Sequence, residues 1–376
     1  MKELLFSFRN ILNSLFYRAV MKPILFRRDP EEVHDRITKF GEFLGRSSLG
    51  RKATKSLFYY SHPMLEQDIL GIKFKNPIGL AGGFDKDAKL TDILPSVGFG
   101  FMEVGSITGE PCEGNPKPRL WRLKKSKGLV VYYGLKNEGC EKIRERLKVK
   151  NFSIPLGTNI AKTNNEKTVD TEAGIDDYAK AFKQFSSTGD YFTVNISCPN
   201  TFGGQPFTDH KRLDLLLARI DEIQTKKPVF LKLSPDLSED EVERIINVAE
   251  SHRVHGFICT NLTKNRDNNR IIEKIVPTNG GLSGKIVEGL SNRLISYVYR
   301  RTKGKFVIIG CGGVSSAEDA YVKIKLGASL VQMITGMIFE GPQIVGEVNL
   351  GLVRLLSKDG FRTVSEAVGT AANKTT

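Results

Sequence analysis

From residue 76 onward, short apolar runs alternate with stretches of helical periodicity, and this alternation restricts the fold more than any other feature of the chain. Residues 77–80, 100–104, 154–159, 191–195, 229–233, 256–260, 306–309 and 330–334 read as strands, and helical patterns at 140–148, 176–186, 213–225, 239–251, 290–300 and 317–326 separate most of them. Eight such β/α units predict an α/β fold, a (β/α)8 TIM barrel. A length of 376 residues suits one barrel with an extension, and 40% hydrophobic and 26% charged residues give a large core and no global disorder. The expected division is an N-terminal helical extension over 1–60, the barrel over 61–366 and a flexible tail over 367–376. The stretch 106–135 is too long for a tight loop, so it is expected to carry a lid or small hairpins.

In such barrels the chemistry sits where strands end. Gly82 and Gly83 follow the first strand, with Lys86 just beyond; Ser106 follows the second, and Asn159 closes the third. The fourth ends at Asn195 and leads to Cys198 and Asn200, the fifth carries Lys232, and the sixth ends near Asn261. Gly312-Gly313 and Thr335-Gly336 follow the last two strands, where bare backbone N–H groups near helix N-termini suit a phosphate. "GGLSGK" (280–285) reads as a further glycine-rich loop. Together these favour a phosphate-bearing cofactor over simple turns. A lysine inside a strand normally meets solvent, but Lys232 at an inner rim would face a ligand, and a cation there suits the edge of a reduced flavin.

Residues 3–20 read as an amphipathic helix with Leu4, Leu5, Phe8, Ile11, Leu12, Leu15 and Phe16 on its apolar face and basic residues nearby. A second helix is expected from Pro30 to about Leu44, with Asp29 as its N-cap. The pattern fits either a peripheral membrane contact or a hairpin packed on the main domain. No apolar run reaches spanning length, and no signal-peptide cleavage pattern follows the first residues. The net charge of +14 is spread along the chain without a nucleic-acid motif, so no nucleic-acid partner is expected. The five cysteines form no CxxC pair, which points to a reducing compartment and to no structural metal. His252 and His255 read as surface histidines.

The stretches "NPIGLAGGFDKD" (76–87), "GSITGEPCEGNPKPRLWRL" (105–123), "NISCPNT" (195–201), "LKLSPDLS" (231–238), "GGLSG" (280–284) and "GASLVQMITGMIFEGP" (327–342) resemble the dihydroorotate dehydrogenase family over most of the chain. "FRRDPEEVHDRITKF" (26–40) resembles its quinone-dependent, membrane-associated class. The resemblance implies an FMN flavoprotein that oxidises dihydroorotate to orotate in pyrimidine biosynthesis. It implies an apolar quinone tunnel formed by the N-terminal helices, and a peripheral place on a membrane of bacterial inner-membrane type. By that resemblance Gly83, Lys86, Ser106, Asn159, Asn195, Lys232, Gly284, Gly313, Thr335 and Gly336 would contact FMN. Lys86, Asn195, Asn200 and Asn261 would bind substrate, Arg122 would line the quinone tunnel, and Cys198 would be the base. A thiol with a depressed pKa would suit that last role near neutrality.

The chain also departs from the family pattern. Serine is the usual base of the quinone-dependent class, and cysteine that of the soluble classes. Val131 stands where the family has an asparagine that holds the substrate, Leu262 where it has a hydroxyl, Leu135 where it has an aromatic, and Ile334 where it has a tyrosine. Lys136 and Tyr132 are neighbours able to compensate. These departures keep two alternatives open: an FMN oxidoreductase for a different substrate, and a non-catalytic, flavin-binding, membrane-associated protein.

Overall fold

Every residue of Tyr191–Asn195 is buried, because alternate side chains meet the interior of a closed barrel or the helices around it. The computed structural model describes residues 2–374. Eight parallel strands close the barrel in chain order: Ile78–Leu80, Phe101–Ile107, Leu156–Ile160, Tyr191–Asn195, Val229–Leu233, Gly256–Cys259, Val307–Cys311 and Leu330–Met333. Each expected strand is present, with ends shifted by a few residues.

The strand pairings set the layers inside the barrel. Thr193 faces Asn159, Asn195 faces Lys232, and Lys232 faces Ile258. The lowest layer is aromatic. Phe101, Tyr191 and Phe230 cluster there with Ile258, Ile309 and Leu330. Glycines make room for these rings: a Cβ on Gly157 would lie 2.2 Å from the Tyr191 ring, and one on Gly256 2.7 Å from Phe230. A hairpin of Gln67–Ile69 and Ile72–Phe74 closes the floor from below, its Phe74 ring edge-on to Phe101 at 5.5 Å.

Over the opposite end lies an antiparallel sheet of three strands, Leu120–Leu123, Gly128–Val131 and Gly281–Gly284. The expected lid is therefore present in 106–135, but "GGLSG" is not a free loop. It pairs with Gly128–Val131, and Thr263 bridges to Leu282. A period of two across small residues hid this strand.

The extension begins with the helix Lys2–Phe16, continues through a π turn at Tyr17–Met21 and Lys22–Leu25, and turns into Pro30–Arg46 and Ser48–Phe58. Asp29 caps the long helix by accepting from the Glu32 N–H at 2.9 Å. The first helix is tied to the body on one side only. Arg9 donates to the Ser56 and Tyr59 carbonyls, Asn13 to the Leu57 carbonyl and Tyr17 to the Ile338 carbonyl, while Arg18 pairs with Glu340 at 2.9 Å. Its other face is apolar and exposed, from Leu4 (74%) through Phe8 to Phe16, and Phe40, Phe43 and Leu49 of the next helices are also exposed. Packing and an open apolar face thus coexist. Among the described residues no helix is long and apolar enough to cross a membrane.

Two expectations need correction. Residues 367–373 do not form a free tail: Ala367 and Ala372 are buried, and the Ala371 N–H donates to the Lys325 carbonyl. Apolar contacts hold them although the segment reads as polar; residues 375–376 of that expected tail, like Met1 of the extension, lie outside the described residues. His252 and His255 are half-buried and not free surface residues: the His252 ring nitrogens meet Asp214 and Asp221, both from one neighbouring helix, at 3.0 and 2.8 Å.

Candidate active site

Between the strand ends and the lid sheet lies a cavity of about 190 Å³. The rim sequences converge on it: Gly83, Lys86, Ser106, Asn195, Cys198, Asn200, Lys232, Asn261, Gly284, Gly313, Thr335 and Gly336 all line its wall. Asn159 and Arg122 do not, and their actual places are informative.

Asn159 is fully buried one layer below the wall. Its amide donates to Glu103 at 2.6 Å and its oxygen accepts from the Ser106 hydroxyl at 2.5 Å. Glu103, itself fully buried, also accepts from Thr193 and Gln332. Ser106 in turn accepts from the Asn195 amide at 2.9 Å, and the Asn195 oxygen accepts from Asn261 at 3.1 Å. This chain of bonds orients the rim amides from below, as buried polar groups require. Lys232 is 4% exposed and makes no hydrogen bond among the described residues, so its ammonium is left to meet whatever fills the cavity. The Asn200 amide donates to the Val131 carbonyl at 2.8 Å, and its buried oxygen has no partner among the described residues.

The first rim loop is folded by Asp85, whose carboxylate accepts from the Lys89 and Leu90 N–H groups at 2.8 Å each. Lys86 then projects with its ammonium 3.9 Å from the centre of the Tyr133 ring. Burial lowers the Lys86 pKa to about 8, with Asp87 opposing and Lys136 adding to the shift. On the far side Gly284, Gly312 and Gly313 have φ of +80°, +119° and +80°, a backbone region that favours glycine. Ser283 and Thr335 hydroxyls meet at 2.9 Å where the short helix Thr335–Glu340 begins. The combination of an open glycine cradle, an unpaired ammonium and an orphaned amide oxygen fits a phosphate-bearing, hydrogen-bonding group.

Cys198 is half-buried on the wall. Its pKa is not depressed as the sequence led one to expect. Burial pushes the thiol up to about 11, against the opposing pull of the Asn200 N–H and of the charges on Lys162 and Lys264. The nearby cations do not outweigh desolvation.

Arg122 lies where the extension meets the lid, donating to the Arg28 carbonyl at 2.8 Å and lying 4.7 Å from the Phe26 ring centre. The extension reaches the cavity through His34 instead, which bonds the Phe84 carbonyl at 2.9 Å. Leu120, Leu129, Ile334 and Ile338 make that end apolar. His34 had a legible signal in its place four residues into the capped second helix, but the helix's orientation is a tertiary property. Val131, Leu262, Leu135 and Lys136 are also on the wall, whereas Tyr132 is not. Gln332 and Thr260, unremarked in the sequence, are there as inward residues at strand ends, beside Cys311 at the end of the seventh strand.

The family model for dihydroorotate dehydrogenase matches residues 64–356. The dihydroorotate dehydrogenase (quinone) of Trichodesmium erythraeum is 36% identical over 377 residues, covering 94% of this chain and 98% of that one. The enzyme of the same name from Christiangramia forsetii is 39% identical over 341 residues, with 89% and 97% covered. A crystal structure of DHODH from Eimeria tenella in complex with ferulenol superposes with a TM-score of 0.80 at 30% identity, covering 91% of this chain and 95% of that one.

Proposed function

We propose the following on the premise that this chain belongs to the dihydroorotate dehydrogenase family. The protein is an oxidoreductase that converts dihydroorotate to orotate with a quinone as electron acceptor. The family is flavin-dependent, and the flavin here is FMN. The N–H groups at Gly313, Thr335 and Gly336 would hold its phosphate, and Lys232, Ser106 and Asn195 would meet its ring system. When bound, a flavin would supply the acceptor for the hydride that leaves substrate C6 and the route for the electrons to quinone.

The observation that carries this reading is the convergence of Cys198, Asn195, Asn200, Asn261 and Lys86 on one wall of one cavity. The three amides hold the ring's carbonyl and N–H groups, and Lys86 neutralises the carboxylate. Cys198 takes the proton from C5. Anaerobic addition of dihydroorotate to the purified flavoprotein tests the reading. Bleaching of the flavin absorbance is expected; a flavin that bleaches with dithionite but not with dihydroorotate overturns it.

A second reading, a relative acting on a less polar substrate, is favoured by one observation: Val131 and Leu262 put aliphatic groups on the same wall as the amides. Each missing hydrogen bond is worth roughly 1–3 kcal/mol. The double variant V131N/L262T is expected to lower the KM for dihydroorotate by about tenfold or more. An unchanged KM in steady-state assays would show that these positions do not face the substrate.

The exposed apolar face of the first helices lies on a lipid surface, and quinone enters between them toward His34. Co-sedimentation with anionic vesicles is expected for the native chain. It should fall about tenfold or more in a variant with glutamate at Leu5, Phe8 and Leu12.

A further inference from the structure

Next to the main cavity, and sharing Leu135, Asn195 and Cys198 with it, lies a second void of about 10 Å³, room for on the order of one water. Cys198 lines both spaces. The void's wall carries Lys162, two residues past the strand Leu156–Ile160 and 3% exposed. Its ammonium donates to the Phe202 carbonyl at 3.0 Å and to the Thr168 hydroxyl at 3.3 Å. An ammonium has three donors, and the third has no acceptor among the described residues. A buried lysine with an unmet donor is costly unless something nearby benefits from its charge.

We propose that Lys162 is a positioning residue for Cys198: it carries the loop 198–204 through the Phe202 carbonyl and sets a positive charge near the thiol from the wall of the second void. This rests on the reading of Cys198 as the base. The other charged or titratable groups facing this pair are few. Lys264 and Cys112 face the thiol, Asp177 and Cys112 face the ammonium, and Tyr178 stands beside both with its hydroxyl bonded to the Asn195 carbonyl at 2.9 Å. The Asp177 carboxylate is occupied by the Thr163 N–H and hydroxyl and by the Gly109 N–H. Lys162 is therefore left as the buried cation of the group, and the thiolate formed on opening the S–H bond is the anion it stabilises.

The test uses the holoprotein in three forms: K162Q, which keeps a donor to the Phe202 carbonyl but removes the charge; K162R, which keeps the charge; and T168D, which sets a carboxylate against the ammonium. Two readouts are followed against pH: alkylation of Cys198 by iodoacetamide, read on its peptide by mass spectrometry, and anaerobic flavin reduction by saturating dihydroorotate. K162Q and T168D are expected to displace both profiles upward by about one pH unit, slowing each reaction about tenfold at a fixed pH below the midpoint, while K162R stays close to native. Unmoved alkylation profiles in K162Q and T168D overturn the proposal and leave Lys162 a structural residue, whatever happens to thermal stability. T168D decides the matter alone should K162Q not fold. Failure of the native protein to bleach with dihydroorotate would instead overturn the enzymatic reading, and the alkylation profiles would still decide the role of Lys162.

Discussion

Replacing Cys198 with alanine is expected to slow reduction of the bound flavin by dihydroorotate about 10²–10⁴-fold, the usual contribution of a positioned base. The geometry makes the loss hard to rescue. Cys198 shares its wall with Asn195, Asn200 and Asn261, whose side chains are amides and cannot accept a proton at neutral pH. Of the lysines on that wall, Lys86 is protonated below about 8 and, in the proposed reading, is committed to the carboxylate. Stopped-flow absorbance under anaerobic conditions measures the rate directly. A C198A variant that bleaches at the native rate would remove the thiol from the chemistry. The sign of the pH dependence follows from the raised thiol. Only the thiolate accepts a proton, and with its pKa near 11 the thiolate fraction grows about tenfold per pH unit through neutrality. At saturating substrate the native reduction rate should therefore still be rising above pH 8, and the slope should vanish in C198A.

Glu31→Ala is expected to destabilise the fold by roughly 3–5 kcal/mol, the cost of breaking a buried ion pair from one side. Glu31 lies in the first turn of Pro30–Arg46 and is 3% exposed; Arg119, 5% exposed, meets it through two nitrogens at 2.8–3.2 Å. Lys117 and Lys136 add their charges at 3.4 and 3.8 Å. This is the junction between the extension and the lid, since Arg119 also holds the Glu113 and Asn115 carbonyls. Without the carboxylate the guanidinium stays buried without its counter-charge, and Lys136 loses one of the two carboxylates near it. Differential scanning calorimetry should show a melting temperature lower by on the order of 10 °C. Quinone-linked turnover should fall more than flavin reduction by dihydroorotate, because the extension loosens while the rim amides remain tied to Glu103. Burial alone would raise the Glu31 carboxyl, but Arg119 and the lysines hold it below its ordinary 4.5. The ion pair's stability is thus fully present above that value and is lost as pH falls through the depressed one. The gap in melting temperature between native protein and E31A should accordingly close in acid; a gap that is constant from pH 6 to pH 3 would assign the effect to packing.

The barrel was legible because its strands are short, largely apolar and separated by amphipathic helices, so period and length both speak. Glu239–Ser251 has the bounds its pattern suggests, fixed by the Ser238 and Glu241 capping box. The floor hairpin Gln67–Phe74 and the lid strand Gly281–Gly284 were not legible. Each is a few residues long and is held by partners distant in sequence, Phe101 for one and Val130–Val131 for the other. Rim residues could be named from the ends of strands, since in a parallel barrel those ends share a face. What lies behind the rim could not. Asn159 reads as a wall residue because it ends a strand, yet its side chain turns down to Glu103. Lys162 stands in "NIAK" just past that strand, and nothing in the local sequence marks it as buried. The Cys198 shift was misjudged because polar neighbours in sequence are visible while the depth of burial is not.

The aromatic floor has a consequence for how such a protein can change. With Phe101, Tyr191 and Phe230 filling the space left by their glycine neighbours, and Phe74 closing the hairpin beneath, the barrel is a vessel with one mouth. Heritable variation is thereby sorted by height. Substitutions in the floor are felt as folding and abundance, and those at the rim as choice of substrate and acceptor. A lineage can exchange a polar residue for valine or leucine at the mouth without endangering the vessel. An engineer gains the same freedom: the floor can be strengthened first, and the mouth randomised afterwards against a reserve of stability.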